Sequence, residues 1–516
     1  MQRRTIFKAL TVYAAVAAGV AAQINRIFKT NQGWLLRKGD KLMIKNLKSD
    51  SMADVDRRIY DVCIIGAGAA GITLAINLAK AGVDIALCEG GDENYTEESQ
   101  DMYKGTVVGD PYFQLDIARL RFLGGTTNHW AGMSRPFEKI DFERQYIGAE
   151  YEWPIGYEAI NKYLTEACEI LEINNDFESK EKALSKEVRK INFNWSPPVR
   201  FKQKYITTMT ELKNLTLLTN ANLIELNGGN RKINEITLSS VNKKTIKIRA
   251  KKYIFAMGGI ENSRMLLWFK ARYNDKFFDV NTPIGKYWME HPHFTIGQAL
   301  VENQISDHMY YAISSITQID RKILGCGLRV ERQTKTGVKK LVNELLCVSP
   351  TLGKKMMHMV NKDLVCGVTF RAAWEQAPDP SNHVKLSNRK DILGVPRTEL
   401  HWVKNKIDRK TIEESVSIYN DWLLQNNFGR IKLDDWVAEG KIYPQNDELA
   451  GYHHMGGTRM GRSSLYGVVD ADCKVFGSDN LYIAGSSIFT TGGHNNPTLP
   501  IVQFSLRLKD HIKYIL

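Results

Sequence analysis

Short, mostly apolar runs that end in a glycine turn or an acidic residue recur along the chain. They occupy residues 60–65, 83–88, 252–256 and 481–484, so they are spread from near the start to near the end. Apolar runs of this length, bounded by glycine, predict strands buried on both faces, as in a parallel sheet covered by helices. The pattern predicts one doubly wound, Rossmann-like α/β domain assembled from discontinuous segments.

A different pattern lies between these runs in the second half of the chain. Region 286–445 contains strand-like segments such as 294–301 and 364–371. They predict an inserted α+β substrate domain built on an antiparallel sheet. Residues 497–515 carry the spacing of a C-terminal amphipathic helix.

The first apolar run opens a turn with the spacing of a dinucleotide-binding βαβ unit. Gly66, Gly68 and Gly71 follow the strand, Ala70 lies at the start of a helix, and Glu89 ends the next strand. In such a unit the first glycine permits the turn, the second lets the backbone approach the pyrophosphate, and the third lets the helix pack closely. The acid accepts hydrogen bonds from ribose hydroxyls. Because strand, helix and acid are all present, a dinucleotide site is favoured over a ligand-free turn.

Composition and charge narrow the function classes. The length of 516 residues is too great for one simple core and predicts two domains. The seven cysteines form no CxxC pair, zinc, iron–sulfur or haem-attachment motif, and we predict no metal site. Of the net charge of +13, residues 1–58 contribute eight, since they hold twelve Lys and Arg against four Asp and Glu. The basic balance therefore belongs mainly to the N-terminal segment, and we expect no nucleic-acid partner.

The N-terminal segment resembles a twin-arginine export signal. Arg3 and Arg4 precede a short run of small apolar residues at 9–22. We expect an exported protein, periplasmic or membrane-associated through this leader or anchor. The alternative is a cytoplasmic protein that starts at Met52. Residues 23–58 read as a polar, basic linker.

Two glycine-flanked clusters near the C-terminus carry candidate catalytic groups. The first contains His453 and His454, and the second contains His494, Asn495 and Asn496. Alcohol oxidation needs a base for the hydroxyl proton and a second polar group that holds the substrate oxygen. Imidazole titrates near neutrality and suits the first role. The alternative is that these histidines only satisfy turn backbones.

Taken together, the motifs resemble those of the glucose–methanol–choline oxidoreductase family. The resemblance covers nearly all of 59–516, and its segments in order are the opening turn, Leu123-Gly-Gly-Thr-Thr-Asn-His-Trp, Ala256-Met-Gly-Gly, His453-His-Met-Gly-Gly-Thr-Arg-Met-Gly and Asn495-Asn-Pro-Thr. It implies FAD as the cofactor, His453 as the base and Asn496 as the second catalytic residue. It also implies cofactor contacts at Gly66, Gly68, Ala70, Gly71, Glu89, Gly124, Gly125, Asn128, His129, Leu223, Gly258, Gly485, Ser486, Asn496 and Thr498.

His129 receives a separate prediction. In pyranose-oxidase-like members, a histidine in a similar Gly-Gly-x-x-x-His-Trp segment carries the flavin covalently. The resemblance implies the same for His129, with a non-covalent contact to the ring as the alternative.

The substrate prediction rests on resemblance to the pyranose-oxidase-like and bacterial sugar dehydrogenase branch. Trp153-Pro154-Ile-Gly-Tyr157 is similar to a Trp-Pro-x-x-Tyr segment of these members. It favours a sugar, glycoside or polyol, for which Trp130, Trp288 and Trp374 offer stacking surfaces. Glu290-His291-Pro292-His293 also resembles a family segment. The spacing of its histidines is compatible with a metal site, but we predict a structural or pocket role for this segment.

These features predict an FAD-dependent dehydrogenase that passes electrons to a separate carrier subunit or a quinone. An oxidase that uses oxygen and an enzyme for a non-sugar alcohol remain alternatives. A non-catalytic flavin-binding protein and a nicotinamide enzyme are less favoured. The predicted organisation is a leader (1–22), a linker (23–58), three parts of the FAD-binding domain (59–155, 201–285 and 446–516), a cap or substrate-domain segment (156–200) and the substrate domain (286–445).

Overall fold

The computed structural model describes residues 44–197, 199–301, 309–332, 366–444 and 451–516. The predicted leader at 1–22 and linker residues 23–43 lie outside these ranges, and so does part of the predicted substrate domain. Within the described ranges, no helix has both the length and the apolarity needed to cross a bilayer.

The strands, in chain order, are β1 (Ile44–Asn46), β2 (Ile59–Ile65), β3 (Ile85–Cys88), β4 (Gly105–Gly109), β5 (Met133–Ser134), β6 (Lys182–Ala183), β7 (Val188–Ile191), β8 (Asn194–Trp195), β9 (Leu215–Thr219), β10 (Asn222–Gly229), β11 (Lys232–Ser239), β12 (Thr245–Phe255), β13 (His293–Val301), β14 (Met309–Ile313), β15 (Cys326–Arg332), β16 (Cys366–Trp374), β17 (His383–Lys390), β18 (Pro396–Trp402), β19 (Lys432–Leu433) and β20 (Leu481–Ile483).

The α-helices are α1 (Ala53–Asp56), α2 (Ala69–Lys80), α3 (Glu97–Gln100), α4 (Glu158–Asn161), α5 (Leu164–Leu171), α6 (Phe201–Glu211), α7 (Glu261–Tyr273), α8 (Ser315–Arg321), α9 (Lys406–Gln425), α10 (Asp435–Ala438) and α11 (Thr498–Ile515). Short 3-10 turns occur between them, including one at Gly125–Asn128.

An eight-stranded sheet forms the first layer of the fold. Its order is β1-β9-β3-β2-β12-β11-β10, with β20 also paired to β12. The central pairings from β1 to β12 and the β12–β20 pairing are parallel, whereas β10 and β11 are antiparallel. The apolar runs fill the buried centre of this sheet, where their side chains belong to the main apolar core. The prediction of a Rossmann-like domain assembled from discontinuous segments is confirmed.

The opening βαβ unit and the C-terminal helix pack together on this sheet. α2 of the opening βαβ unit contacts α11, so the C-terminal amphipathic helix predicted at 497–515 closes over the first helix. β20 adds to β12 at the residues 253–255. This docking brings the turns after β2, β12 and β20 to one edge of the sheet.

A seven-stranded antiparallel sheet forms the second layer. Its order is β19-β13-β16-β15-β14-β7-β6, so segment 182–191 joins strands from the 286–445 region. One face packs against α9 through an apolar cluster that includes Phe294, Phe370, Trp374 and Tyr419. The other face looks toward the first sheet. The antiparallel sheet expected of the inserted domain is therefore present.

The structure corrects two expectations about local elements. Residues 44–58 are not a linker, because β1 pairs with β9 and the side chains of Leu47, Met52 and Val55 are buried. A smaller sheet joins β17 and β18 to β4, so residues 105–109, predicted to belong to the FAD-binding part, pair with a strand of the 286–445 region.

Candidate active site

A cavity of about 680 Å³ lies between the glycine turns of the first sheet and the inner face of the second. Three distant turns contribute to its wall, namely those at Gly68, Gly258 and Gly485. The predicted site residues that line it are Gly66, Gly68, Ala70, Glu89, Gly125, His129, Leu223, Gly258, His453, Gly485, Ser486, Asn496 and Thr498.

The three glycines of the opening turn have different physical roles. A Cβ at Gly66 would lie 2.4 Å from the Ala256 carbonyl oxygen, and one at Gly71 would lie 1.9 Å from the Gly66 carbonyl oxygen. Those two positions require glycine because neighbouring backbone leaves no room for a side chain. A Cβ at Gly68 would meet no atom within 4 Å, although Gly68 lines the cavity. The space beside Gly68 is therefore available to a ligand.

Gly258 and Gly485 share this property. Neither would place a Cβ within 4 Å of another atom, and both line the same cavity. Both have positive φ angles, 94° and 104°, which favour glycine. An elongated strip of bare backbone thus crosses the ends of three strands, and this strip fits the pyrophosphate and flavin parts of FAD.

Glu89 lies at the far end of this strip. Its carboxylate accepts hydrogen bonds from the N–H groups of Ala67 at 3.0 Å and Gly91 at 2.8 Å. These bonds hold the buried carboxylate at the cavity wall and leave lone pairs for ribose hydroxyls. The position agrees with the role predicted for Glu89.

The turn at Gly124 and Gly125 contains some residues that hold the turn together and others that line the cavity. Asn128 donates its side-chain N–H groups to the carbonyls of Leu123 and Gly125, both at 2.9 Å. Gly124 has a φ of 95°, and neither Gly124 nor Asn128 is among the described residues that line the cavity. In this structure both residues shape the turn, and their direct contact with a cofactor stays a prediction. Gly71 likewise acts through close helix packing.

His129, by contrast, lines the cavity. Partial burial, together with the nearby Arg200 cation, lowers the pKa of its imidazole. The neutral ring therefore faces the space where a cofactor would lie.

His453 and Asn496 line the same cavity from two different loops. The backbone N–H of His453 donates to Oε1 of Glu290 at 2.7 Å, which fixes its loop. Asn496 lies two residues before Thr498, the first residue of α11. The structure thus brings together the two catalytic residues implied by the motifs.

The sequence analysis did not identify His291 as the hydrogen-bond partner of His453. His291 Nε2 lies 2.7 Å from the Gly493 carbonyl oxygen, and its Nδ1 lies 2.8 Å from Nδ1 of His453. A carbonyl only accepts, so Nε2 of His291 carries its proton. Burial lowers the pKa of His291 to about 3, so the ring is neutral at physiological pH and its Nδ1 accepts. His453 must then donate from Nδ1.

This chain of donors decides which nitrogen of His453 is basic. Burial lowers the pKa of His453 well below its ordinary value, and the neighbouring His291 and His293 rings reinforce the shift. A neutral His453 with its proton on Nδ1 has a lone pair on Nε2. The site therefore holds a neutral imidazole base.

Glu290 joins the loops around this base. Oε1 accepts from the N–H groups of His291 at 2.8 Å and His453, and Oε2 accepts from the Tyr112 hydroxyl. Tyr112 also lies 3.0 Å from Nε2 of His454. Burial raises the pKa of Glu290 to about 7. The pocket role predicted for Glu290 and His291 agrees with this arrangement; Tyr112 carried no signal in the sequence.

The tryptophans differ from expectation. Trp288 and Trp374 are fully buried in apolar clusters and offer no stacking surface. Trp130 lines the cavity, and so does Trp195. Among the described residues, no group of three His, Cys, Asp or Glu side chains has the arrangement of a metal site.

Comparison with known proteins gives consistent results. A family model described as GMC oxidoreductase matches residues 378–505, and one described as FAD binding domain matches residues 61–97. The chain is 22% identical to the fructose dehydrogenase large subunit of Gluconobacter japonicus, over 88% of this chain and 97% of that protein. It is 21% identical to 2-methyl-1,2-propanediol dehydrogenase of Mycolicibacterium austroafricanum, over 88% and 95%.

Solved structures share the fold. A formate oxidase superposes with a TM-score of 0.55 at 15% identity, over 89% of this chain and 99% of that one. Pyridoxine 4-oxidase from Mesorbium loti superposes with a TM-score of 0.56 at 13% identity, over 88% and 99%. The two family models and the named relatives, together with the opening fingerprint and the open glycine strip, support the glucose–methanol–choline oxidoreductases, FAD-dependent enzymes, as the family that this chain resembles.

Proposed function

We propose that this protein is a dehydrogenase that oxidises a hydroxyl group of a sugar, glycoside or polyol and passes the electrons to an external acceptor. The observation that carries the proposal is the basic Nε2 of His453, held by His291, in the cavity that the three open glycines also line.

The chain's own residues supply the acid–base part of the reaction. His453 Nε2 takes the hydroxyl proton of the substrate. The resulting imidazolium keeps its Nδ1–H bonded to His291, and a charge-assisted bond of this kind is stronger than a neutral one. The Asn496 amide donates to the substrate oxygen as negative charge develops there. FAD, when bound along Gly68, Gly258 and Gly485, supplies the hydride acceptor.

Electron transfer to a separate carrier subunit or a quinone is part of this proposal. One relative of this chain is named as the large subunit of fructose dehydrogenase, which supports a partner subunit for that protein. We propose a comparable carrier here. Another relative is named paromamine 6'-oxidase, so the acceptor must be measured.

The test is anaerobic mixing of purified holoenzyme with sugars, glycosides, polyols and simple alcohols while the flavin absorbance is followed. We expect bleaching by a sugar or polyol, followed by slow recovery with oxygen and fast recovery with a quinone. Fast recovery of the flavin absorbance with oxygen would show that the enzyme is an oxidase rather than a dehydrogenase. Absence of bleaching by every alcohol would refute alcohol oxidation.

We propose two further features that concern attachment and location. His129 carries FAD covalently, supported by its neutral ring at the cavity wall. Residues 1–22 direct export or anchor the protein at a membrane, supported by Arg3 and Arg4 ahead of the apolar run. Changing both arginines to lysine in a leader–reporter fusion should block export. A reporter that stays in the cytoplasm with either leader would favour a start at Met52.

A further inference from the structure

His494 lies in the wall of the cavity, and the reaction proposed above does not use it. The side chain is 6% exposed and lines the same cavity as His453 and Asn496. Burial lowers the pKa of His494 to about 3, so its imidazole is neutral at physiological pH. A neutral imidazole donates a hydrogen bond from one ring nitrogen and accepts one at the other. The ring therefore offers two polar atoms that need partners.

The surrounding protein leaves this need unmet. Among the described residues, none provides a hydrogen-bond partner for the buried Nε2 of His494. Oε1 of Glu138 lies 4.0 Å from this atom, which is beyond hydrogen-bond distance. Arg135 and Arg189 already donate to the Glu138 carboxylate. Buried polar groups in folded proteins are normally hydrogen-bonded, so an unpaired ring at a cavity wall indicates a place for a ligand.

The second sheet leaves room beside this ring. A Cβ at Gly327 on β15 would lie 3.6 Å from Cδ2 of His494. Gly327 lies opposite Ala373 on β16, and Ala373 lies opposite His293 on β13. These three residues all line the cavity, and residues opposite each other in neighbouring strands point to the same face. Because glycine and alanine carry at most a methyl group, the space between His293 and His494 stays open.

This row of residues leads from the base to His494. The ring centroid of His293 lies 6.0 Å from that of His453. Neighbouring strands lie about 5 Å apart, so the two steps from β13 to β15 span about 10 Å. A molecule that lies along the row can therefore offer one polar group to His453 and another to His494.

We propose that His494 binds a second hydroxyl group of the alcohol that is oxidised, so that the substrate is a diol or polyol with one hydroxyl group at His453 and another at His494. A hydroxyl group both donates and accepts, so it can bond to either nitrogen of a neutral imidazole. A mono-alcohol would leave His494 unpaired. This inference rests on the proposed function and deepens it, because it names a residue that selects polyhydroxylated substrates.

The test compares cyclohexanol with 1,2-, 1,3- and 1,4-cyclohexanediol. Each alcohol is titrated into the holoenzyme, its dissociation constant is measured from perturbation of the flavin spectrum, and flavin bleaching is followed separately under anaerobic conditions. We expect at least one diol to bind about two- to tenfold more tightly than cyclohexanol, the size of one neutral hydrogen bond. The diol that gains most reports the separation of the two bound hydroxyl groups. Equal binding of cyclohexanol and all three diols overturns the proposal.

Variants then assign the effect to His494. His494→Leu should abolish the advantage of the diol and leave the binding of cyclohexanol nearly unchanged. His494→Gln keeps an amide that donates and accepts, and it should restore part of the advantage. A purely structural role would instead weaken the binding of all four alcohols alike, which would contradict the proposal. His401→Leu is the control, since His401 lies on β18 and is not among the described residues that line the cavity.

Two further outcomes separate this inference from the proposed function. A diol advantage that is unchanged in His494→Leu overturns the inference, even if alcohols bleach the flavin. A diol advantage that depends on His494, without bleaching by any alcohol, supports the binding site and refutes alcohol oxidation.

Discussion

The Nδ1 atoms of His291 and His453 lie 2.8 Å apart, and the Gly493 carbonyl decides which of them carries the proton. That carbonyl accepts from Nε2 of His291, which leaves Nδ1 of His291 as an acceptor. His453 therefore donates from Nδ1, and its Nε2 is the basic atom. A backbone carbonyl in one loop thus sets the basicity of a histidine in another.

Replacement of His453 should remove the base. We expect His453→Ala to slow flavin reduction by about 10²–10⁴-fold, the usual contribution of general-base catalysis, with FAD still bound. Rapid mixing with a reducing substrate measures the rate. His454→Ala is the control and should have a milder effect, because Nε2 of His454 lies against Tyr112. If His454→Ala reduces the flavin slowly and His453→Ala reduces it at the normal rate, the base is His454 and the assignment of His453 is wrong.

His291 is a positioning residue for this base. His291→Leu removes the acceptor for His453 Nδ1–H, and we expect flavin reduction to slow about 10–100-fold, the cost of one hydrogen bond to a charged group. Substrate affinity and flavin content should change little. His291→Asn retains a carbonyl acceptor and should recover part of the rate. Equal rates for the Leu and Asn variants would contradict the tautomer role.

Gly68 and Gly71 should fail in different ways. Gly68→Leu puts a side chain into the open space at the cavity, so we expect a folded protein without FAD. The φ of −90° at Gly68 accommodates other residues. Gly71→Leu would collide with the Gly66 carbonyl and should prevent folding. Flavin absorbance and circular dichroism report the two outcomes. If the Gly68 variant binds FAD normally, the pyrophosphate does not lie beside Gly68 and this prediction is wrong.

Covalent attachment through His129 predicts flavin that stays with the polypeptide after acid precipitation. His129→Ala should release the flavin into the supernatant and leave the fold intact, because the side chain lies at the cavity wall. Wild-type protein that releases all of its flavin would refute the covalent bond while leaving FAD binding in place.

Glu290 should make stability depend on pH. Burial raises its pKa from 4.5 to about 7, so between these values the folded protein keeps a proton that the unfolded chain releases. Its contribution is full below pH 4.5 and is lost as the pH rises through 7. Relative to wild type, Glu290→Gln should therefore gain up to about 3 kcal/mol in the free energy of unfolding between pH 4.5 and 7.5. Urea unfolding at both pH values measures this, and a difference that does not change with pH would contradict it.

Much of the cofactor domain could be predicted because its signals are local. Gly66, Gly68 and Gly71 lie within six residues and satisfy steric demands of one turn, and Glu89 ends the next strand. The predicted strand at 294–301 and helix at 497–515 are confirmed for the same reason. Asn128 shows the limit: its place in a motif did not reveal that its amide would bond to the turn rather than line the cavity.

The sequence by itself indicated the FAD-binding fingerprint and the discontinuous domain, since short-range spacing carries both, and its motifs implied the pair His453 and Asn496 through the family resemblance. Only the tertiary structure decided that His291 holds His453 and that Tyr112 bonds to Glu290. Those contacts join residues far apart in the chain. They depend on strand register and on how one loop docks against another, and such long-range geometry follows from the packing of the whole core rather than from any local pattern of residues.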